Sequence, residues 1–391
     1  MKKSIIFFNA LLIFLLIISF QPKSANANAI YKNNENLSNN LKITAKSALL
    51  LDYESGTVIY DKNASERLPI ASMTKLASLS IILDAIDKGA IKENDLVRVS
   101  ENAASVGGSS AFLDAGSEYK VCDLIKTIVI ASANDSTVAL SEYVSGTEEV
   151  FVSKMNQLSQ KLELKDTNFE NSTGLPSKNH YSSAYDMAKI YRTVCNHKLY
   201  KKYAKIWIDD FIHPSGRKTG LVNTNRLVKT FDGIEGGKTG YTDSAKFCLT
   251  ASASRGSTRL IAVIIGAEDS KTRFAEISQM LSFGFSNYES KIIVNSEVPV
   301  TIIPIKNTKN SIEIYPEKNS KVFTQKSVDN NYTTDYKLNE LKAPIKKGEI
   351  VGKMFVFDKN NMVIDEINLL SNSSIEKESF KDILNKLVNI W

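Results

Sequence analysis

The apolar residues of this chain change period twice, and that change limits the fold more than any single motif does. Ala48-Leu49-Leu50-Leu51-Asp52, a Glu54-Ser55-Gly56 turn and Thr57-Val58-Ile59-Tyr60 read as a β-hairpin. Helical spacing follows. Met73, Leu76, Leu79, Leu83 and Ile86 mark one helix, with Pro69 ahead of it and Gly89 closing it. Val121, Leu124, Ile125, Ile128 and Val129 mark a second, and residues 151–164 and 183–194 two more. Residues 96–120 read as mostly loop with short strands. From Phe247 the strand period returns: residues 249–254 and 259–266 flank Arg255-Gly256-Ser257, and Phe274, Ile277 and Leu281 mark a closing helix. Strands at both ends with helices between predict an antiparallel sheet whose terminal strands meet, flanked by a helical region.

The two ends of the chain differ from this body. Lys2 and Lys3, an apolar run from Ile5 to Phe20 and Ser24-Ala25-Asn26-Ala27-Asn28-Ala29 read as a signal peptide over residues 1–29, so the protein is expected to be exported. A retained membrane anchor is the rival reading of that run. Residues 30–45 are Asn/Lys-rich and read as a flexible leader. After residue 289 short β-type runs with polar turns predict a small all-β domain over 289–373. In the closing segment, residues 374–391, Phe380, Ile383, Leu384, Leu387, Val388 and Trp391 share one face. That is an amphipathic helix suited to a membrane surface, or to docking on the β domain or a partner.

Composition narrows the chemistry. A formal charge of +6 on 391 residues, with no dense basic block, argues against nucleic acid as a partner. Three widely spaced cysteines, Cys122, Cys195 and Cys248, do not make a disulfide framework. The three histidines fall in no His-Glu-x-x-His pattern, and Gly-x-Ser-x-Gly is absent, so zinc hydrolases and histidine-based serine hydrolases lose weight. No metal or organic cofactor is indicated.

Ser72 and Lys75 stand three residues apart at the start of the first helix, on one face, where a neutral lysine can take the serine proton. Ser132 and Asn134 interrupt the helical pattern after Val129, at a helix-to-helix connection. Gly236-Gly237-Lys238-Thr239-Gly240-Tyr241 precedes the second pair of strands, and its glycines permit close backbone approach. Lys218-Thr219-Gly220 is a weaker copy of the same pattern. Each motif is common by chance; together, in order and each in its own context, they are specific.

The set resembles the serine D-alanyl-D-alanine carboxypeptidases, the low-molecular-mass penicillin-binding proteins. The resemblance rests on Ala71-Ser72-Met73-Thr74-Lys75, Ser132-Ala133-Asn134-Asp135 and Gly237-Lys238-Thr239-Gly240-Tyr241-Thr242. Asn171-Ser172-Thr173-Gly174-Leu175-Pro176, the run from His180 to Ala188, and Lys342-Ala343-Pro344 with Gly348–Gly352 extend it. It implies an α+β fold, a penicillin-binding/β-lactamase-like antiparallel sheet with a helical subdomain over 30–288, followed by the β domain and the amphipathic helix. It implies removal of the terminal D-alanine from peptidoglycan stem pentapeptides through a Ser72 acyl-enzyme, with penicillins and other β-lactams as acylating inhibitors. Lys75 would be the base, Ser132 a proton relay, and Asn134 would orient the substrate amide and Lys75. Lys238, Thr239, Gly240 and Tyr241 would bind substrate, the first two through its terminal carboxylate. Ser72 and Tyr241 would lend N–H groups to an oxyanion hole. His180 reads as a loop histidine with its hydrogen bonds satisfied. One departure is Ala245-Lys246-Phe247-Cys248, where the family usually has glycine after the alanine. A β-lactamase-type hydrolase and a catalytically idle peptidoglycan-binding protein are the alternatives.

Overall fold

The computed structural model describes residues 41–305, 310–328 and 331–376. The expected signal peptide and nearly all of the expected C-terminal amphipathic helix lie outside the described residues. Of the closing segment, residues 374–376 are described, and Ile375 there pairs with Ile345 in a β-bridge.

Helices and strands follow in the order the periodicity predicts, with additions. Strands β1 (Ser47–Asp52) and β2 (Val58–Lys62) form the first hairpin, and a 3₁₀ turn, Ala71–Thr74, leads into α1 (Lys75–Asp87). Next come β3 (Leu96–Arg98), α2 (Glu101–Ser105), β4 (Glu118–Lys120), α3 (Val121–Ala131), α4 (Asn134–Ser145) and α5 (Glu148–Lys161). Helices α6 (Ala184–Val194) and α7 (Lys198–Ala204) precede a hairpin of β5 (Ile208–Ile212) and β6 (Lys218–Val222), then α8 (Leu227–Thr230). Strands β7 (Ile234–Thr242), β8 (Lys246–Arg255) and β9 (Thr258–Ala267) and helix α9 (Ser270–Asn287) complete this part.

The main sheet has five strands in the order β2-β1-β9-β8-β7, so the terminal strands meet where β1 pairs antiparallel with β9. Both faces are covered, which is why β9 reads as an unbroken apolar run. The pleat sends Ile261, Val263 and Ile265 to one side, against the helical region. It sends Leu260, Ala262 and Ile264 to the other, against Ile277, Met280 and Leu281 of α9. Helix α1 runs through the middle of the helical region and is buried nearly all round, from Lys75 to Ser80 and again at Ile82 and Leu83.

The leader expectation is corrected at its end. Leu41, Ile43 and Ala45 are buried in the α9-side core, and the backbone N–H groups of Thr44 and Ala45 are held by the Glu276 carboxylate. Residues 96–120 carry, besides loop, the short helix α2, whose Ser100 hydroxyl accepts from Ala103 N–H.

After α9 the described residues are all β. Strands β10 (Tyr288–Val294) and β13 (Ser320–Gln325) form a two-stranded ribbon. Strands β11 (Thr301–Pro304), β12 (Ser311–Pro316), β14 (Thr333–Leu338), β15 (Ile350–Phe357) and β16 (Val363–Ser371) form a sheet in the order β11-β12-β16-β15-β14. Its core is Val294, Ile312, Ile314, Val356, Ile367 and Leu369 with their neighbours. The ribbon joins this domain to the first: the Tyr288 and Phe323 rings stack at 5.5 Å within the α9-side core.

The departure at Lys246 has a backbone signature. Its φ is 54°, the left-handed region that glycine enters freely and a lysine does not, and its side chain is exposed. Lys246→Gly is therefore expected to raise stability by about 0.5 kcal/mol, the left-handed strain exceeding the extra freedom glycine gives the unfolded chain. A shift of the urea midpoint at unchanged slope measures it, and a loss of stability would show that the lysine is not strained.

Candidate active site

Ser72 sits on the 3₁₀ turn, and the backbone just before it is unusual. Ala71 has φ 47°, and Gly174 (φ 84°) is packed so closely over it that a Cβ there would lie 1.9 Å from Ala71 O. Lys75 opens α1 one turn later, which places its Nζ 2.9 Å from Ser72 Oγ and 2.7 Å from Thr173 O. The lysine is fully buried. That burial, and next the charge of Lys238, push its pKa well below the ordinary lysine range, against a smaller opposing pull from Asp135. An amine without its proton can accept the one on Ser72.

Ser132 ends α3 in the left-handed conformation, φ 66°, and Asn134 starts α4. This break turns both side chains inward. Ser132 Oγ accepts from Lys238 Nζ at 2.7 Å. Asn134 Nδ2 donates to Gly107 O at 2.5 Å, while its Oδ1 is buried with no hydrogen-bond partner. The expected contact of Asn134 with Lys75 is thus not made; the carbonyl of Thr173 holds that amine. Next to it, Asp135 accepts from the Ser110 hydroxyl and from the N–H groups of Ala111 and Leu113, tying down the loop above the site.

Lys238, Thr239, Gly240 and Tyr241 lie on β7, at the edge of the main sheet. Gly240 lets this edge abut the serine turn: a Cβ there would be 2.6 Å from Ile70 O and 3.2 Å from Ser72 N. Lys238 is also buried, donates to Thr239 O at 2.9 Å, and has its pKa lowered to about 7, by burial first and by Arg273 second. Tyr241 is exposed at the rim, its ring 4.4 Å from that of Phe247. The weaker copy, Lys218-Thr219-Gly220, lies on β6 in a separate two-stranded sheet.

Arg273 is a site residue that sequence reasoning missed. It donates to Gly240 O and Cys248 O, each at 3.3 Å, and its guanidinium lies over the Phe274 ring at 4.5 Å. Burial first lowers its pKa to about 10, and its Nε is buried without a partner. It stands in the first turn of α9, one residue before the apolar stripe, and nothing in the local pattern marks it. The cleft it helps line has a volume of about 810 Å³, is bordered by Ser72, Ser132, Thr239, Gly240 and Tyr241, and carries Arg226, Lys229 and Arg273 with no Asp or Glu in its lining. An anion is the ligand such a lining accommodates.

The family described as D-alanyl-D-alanine carboxypeptidase matches residues 33–269, and that described as penicillin-binding protein 5, C-terminal domain, matches residues 288–377. The chain belongs to the D-alanyl-D-alanine carboxypeptidase family. It is similar to the D-alanyl-D-alanine carboxypeptidase DacF of Bacillus subtilis (strain 168), at 40% identity over 98% of both chains. With DacC of Escherichia coli (strain K12) it shares 32% identity over 86% of each. Among solved structures, penicillin-binding protein 5 from Haemophilus influenzae superposes with a TM-score of 0.67 at 30% identity, covering 86% of this chain and 98% of that one.

Within this carboxypeptidase fold the two buried lysines leave a mark on stability. A lysine in the unfolded chain keeps its proton up to about pH 10.4, whereas Lys238 in the fold releases it near 7. Above pH 7 the unfolded state therefore binds more protons, and stability rises with pH. Between pH 7.5 and 8.5, where the cysteines contribute equally to both proteins and cancel in the difference, Lys238→Met is expected to lower the slope of unfolding free energy against pH by about 1.4 kcal/mol per unit. Urea unfolding at several pH values measures it; an unchanged slope would mean that Lys238 keeps its charge.

Proposed function

We propose that this protein removes the terminal D-alanine from peptidoglycan stem peptides, with Ser72 as nucleophile, Lys75 as its base and Lys238 at the substrate carboxylate. The observation that carries this reading is the Ser72 hydroxyl beside a buried lysine whose burial pushes its pKa well down, at a cleft lined by cations and no carboxylate. The terminal carboxylate enters between Lys238 and Thr239, with Arg273 adding charge to the cleft. Ser72 Oγ attacks the carbonyl of the penultimate D-alanine while Lys75 takes its proton. The N–H groups of Ser72 and Tyr241 stabilise the oxyanion, at roughly 3 kcal/mol per donor. Collapse breaks the C–N bond, and Ser132 passes a proton to the departing amine. Asn134 Oδ1, a buried acceptor with no protein partner, is free to take the substrate amide N–H. Water then hydrolyses the ester. A β-lactam offers the same pairing of a strained amide carbonyl and a carboxylate, so it acylates Ser72 in the same way.

Such a substrate lies outside the cytoplasmic membrane, in keeping with a signal peptide at residues 1–29. Among the described residues no helix is long and apolar enough to cross a membrane. Peripheral attachment is assigned to the amphipathic segment after residue 374, on its sequence pattern alone.

D-alanine release from a peptide ending in Lys-D-Ala-D-Ala tests the reading. Wild type is expected to release it, and Ser72→Ala to lose at least about 10³-fold in kcat together with labelling by a fluorescent penicillin. A folded wild type that labels but releases none, or hydrolyses the penicillin rapidly, would favour the β-lactamase; neither labelling nor release would favour the idle binding protein.

A further inference from the structure

His180 is buried and fully engaged, in an arrangement with a direction. Its Nδ1 accepts the N–H of Glu170 at 3.1 Å, so in the neutral ring the proton is on Nε2. Nε2 lies 2.7 Å from Thr74 Oγ1, which is itself buried. Since Thr74 Oγ1 receives that proton, its own hydrogen is free for the next acceptor, Ala71 O, at 2.8 Å. The ring is kept neutral over the working range: burial lowers its pKa to about 4. A chain of donations thus runs from Glu170 N–H through His180 and Thr74 to the carbonyl of Ala71.

That carbonyl belongs to the same peptide unit as Ser72 N–H. A hydrogen bond donated to a peptide C=O draws electron density from its nitrogen and makes the N–H a stronger donor, and bonds in a chain reinforce one another. The same unit is fixed in direction by the left-handed φ of Ala71 and by Gly174 packed against it. We propose that His180 and Thr74 are positioning residues that orient and polarise the Ala71–Ser72 peptide, so that Ser72 N–H holds the developing oxyanion more strongly. This rests on Ser72 being the nucleophile. His180 touches neither Ser72 nor the cleft and acts only through Thr74.

The experiment is acylation of the full chain by benzylpenicillin, followed by stopped flow and by the infrared carbonyl stretch of the acyl-enzyme ester, which moves to lower frequency as oxyanion-hole donors strengthen. Thr74→Val keeps the shape and removes the hydroxyl. It is expected to slow acylation about tenfold, well short of the roughly 10²–10³-fold lost with a whole oxyanion donor, and to raise the ester carbonyl frequency. Thr74→Ser restores both. His180→Phe keeps a ring against Phe169 but removes the donor, shifts both readouts the same way, and stands in if Thr74→Val does not fold; in the double variant the effects are not additive, because they break one chain. An unchanged frequency in a folded Thr74→Val protein overturns the proposal, even if the rate falls, because a purely structural role would leave the carbonyl where it was. Should wild type fail to acylate at Ser72, the carboxypeptidase reading falls and this inference with it; wild-type acylation with unaltered variants removes this inference alone.

Discussion

Two fully buried lysines that face no carboxylate are the constraint on which the site depends. Lys75 rests on Ser72 Oγ and Thr173 O, and Lys238 on Ser132 Oγ and Thr239 O. All four acceptors are neutral. A buried ammonium without a counter-ion is costly enough that the group gives up its proton instead, and a lysine free of its proton is a base. Asp135, the acid whose charge acts on Lys75, could spoil this by pairing with it. It is kept occupied by the Ser110 hydroxyl and the N–H groups of Ala111, Leu113 and Ser136, so its charge reaches Lys75 only at a distance.

The rest of the fold brings three distant stretches against that pair. Neither the helical region nor the sheet holds the site alone: Ser72 and Ser132 come from the first, Lys238 from the free edge of the second. Edge strand and serine turn meet at Gly240, and the 171–174 loop meets the turn from another side at Gly174. A side chain at either glycine would push apart the elements whose contact creates the site.

This division explains what was legible in the sequence. Serine, lysine and asparagine at short spacings are local signals, and strand and helix periods placed them on the right elements. The missing glycine at Lys246 was also visible, and the left-handed φ there gives it a physical meaning. What escaped depends on tertiary neighbours. Thr173 contributes a backbone carbonyl, which leaves no trace in residue type, and it takes the place beside Lys75 that Asn134 was expected to fill. Arg273 reads as an ordinary first-turn arginine until the Phe247 and Phe274 rings close around it. Strand β14, with nearly every residue exposed, lacks the apolar alternation that marks a strand, because it is an edge with charged positions rather than a core element. Residues 41–45 are too short to show a period, yet Glu276 and the α9-side core hold them.

The separation of the two lysines also bears on how substrate charge is handled. On the proposed reading, a carboxylate arriving at Lys238 raises the proton affinity of that lysine from near 7, so Lys238 becomes charged as the substrate binds. Seen from Lys75, a bound carboxylate and a newly protonated Lys238 are opposite charges close together, and their effects largely cancel. The base is then governed by its own burial before and after binding. Were one lysine to serve both tasks, the anion that selects the substrate would protonate the group that must activate the serine. Placing Lys75 on the helix and Lys238 on the sheet edge keeps recognition ionic and the base neutral.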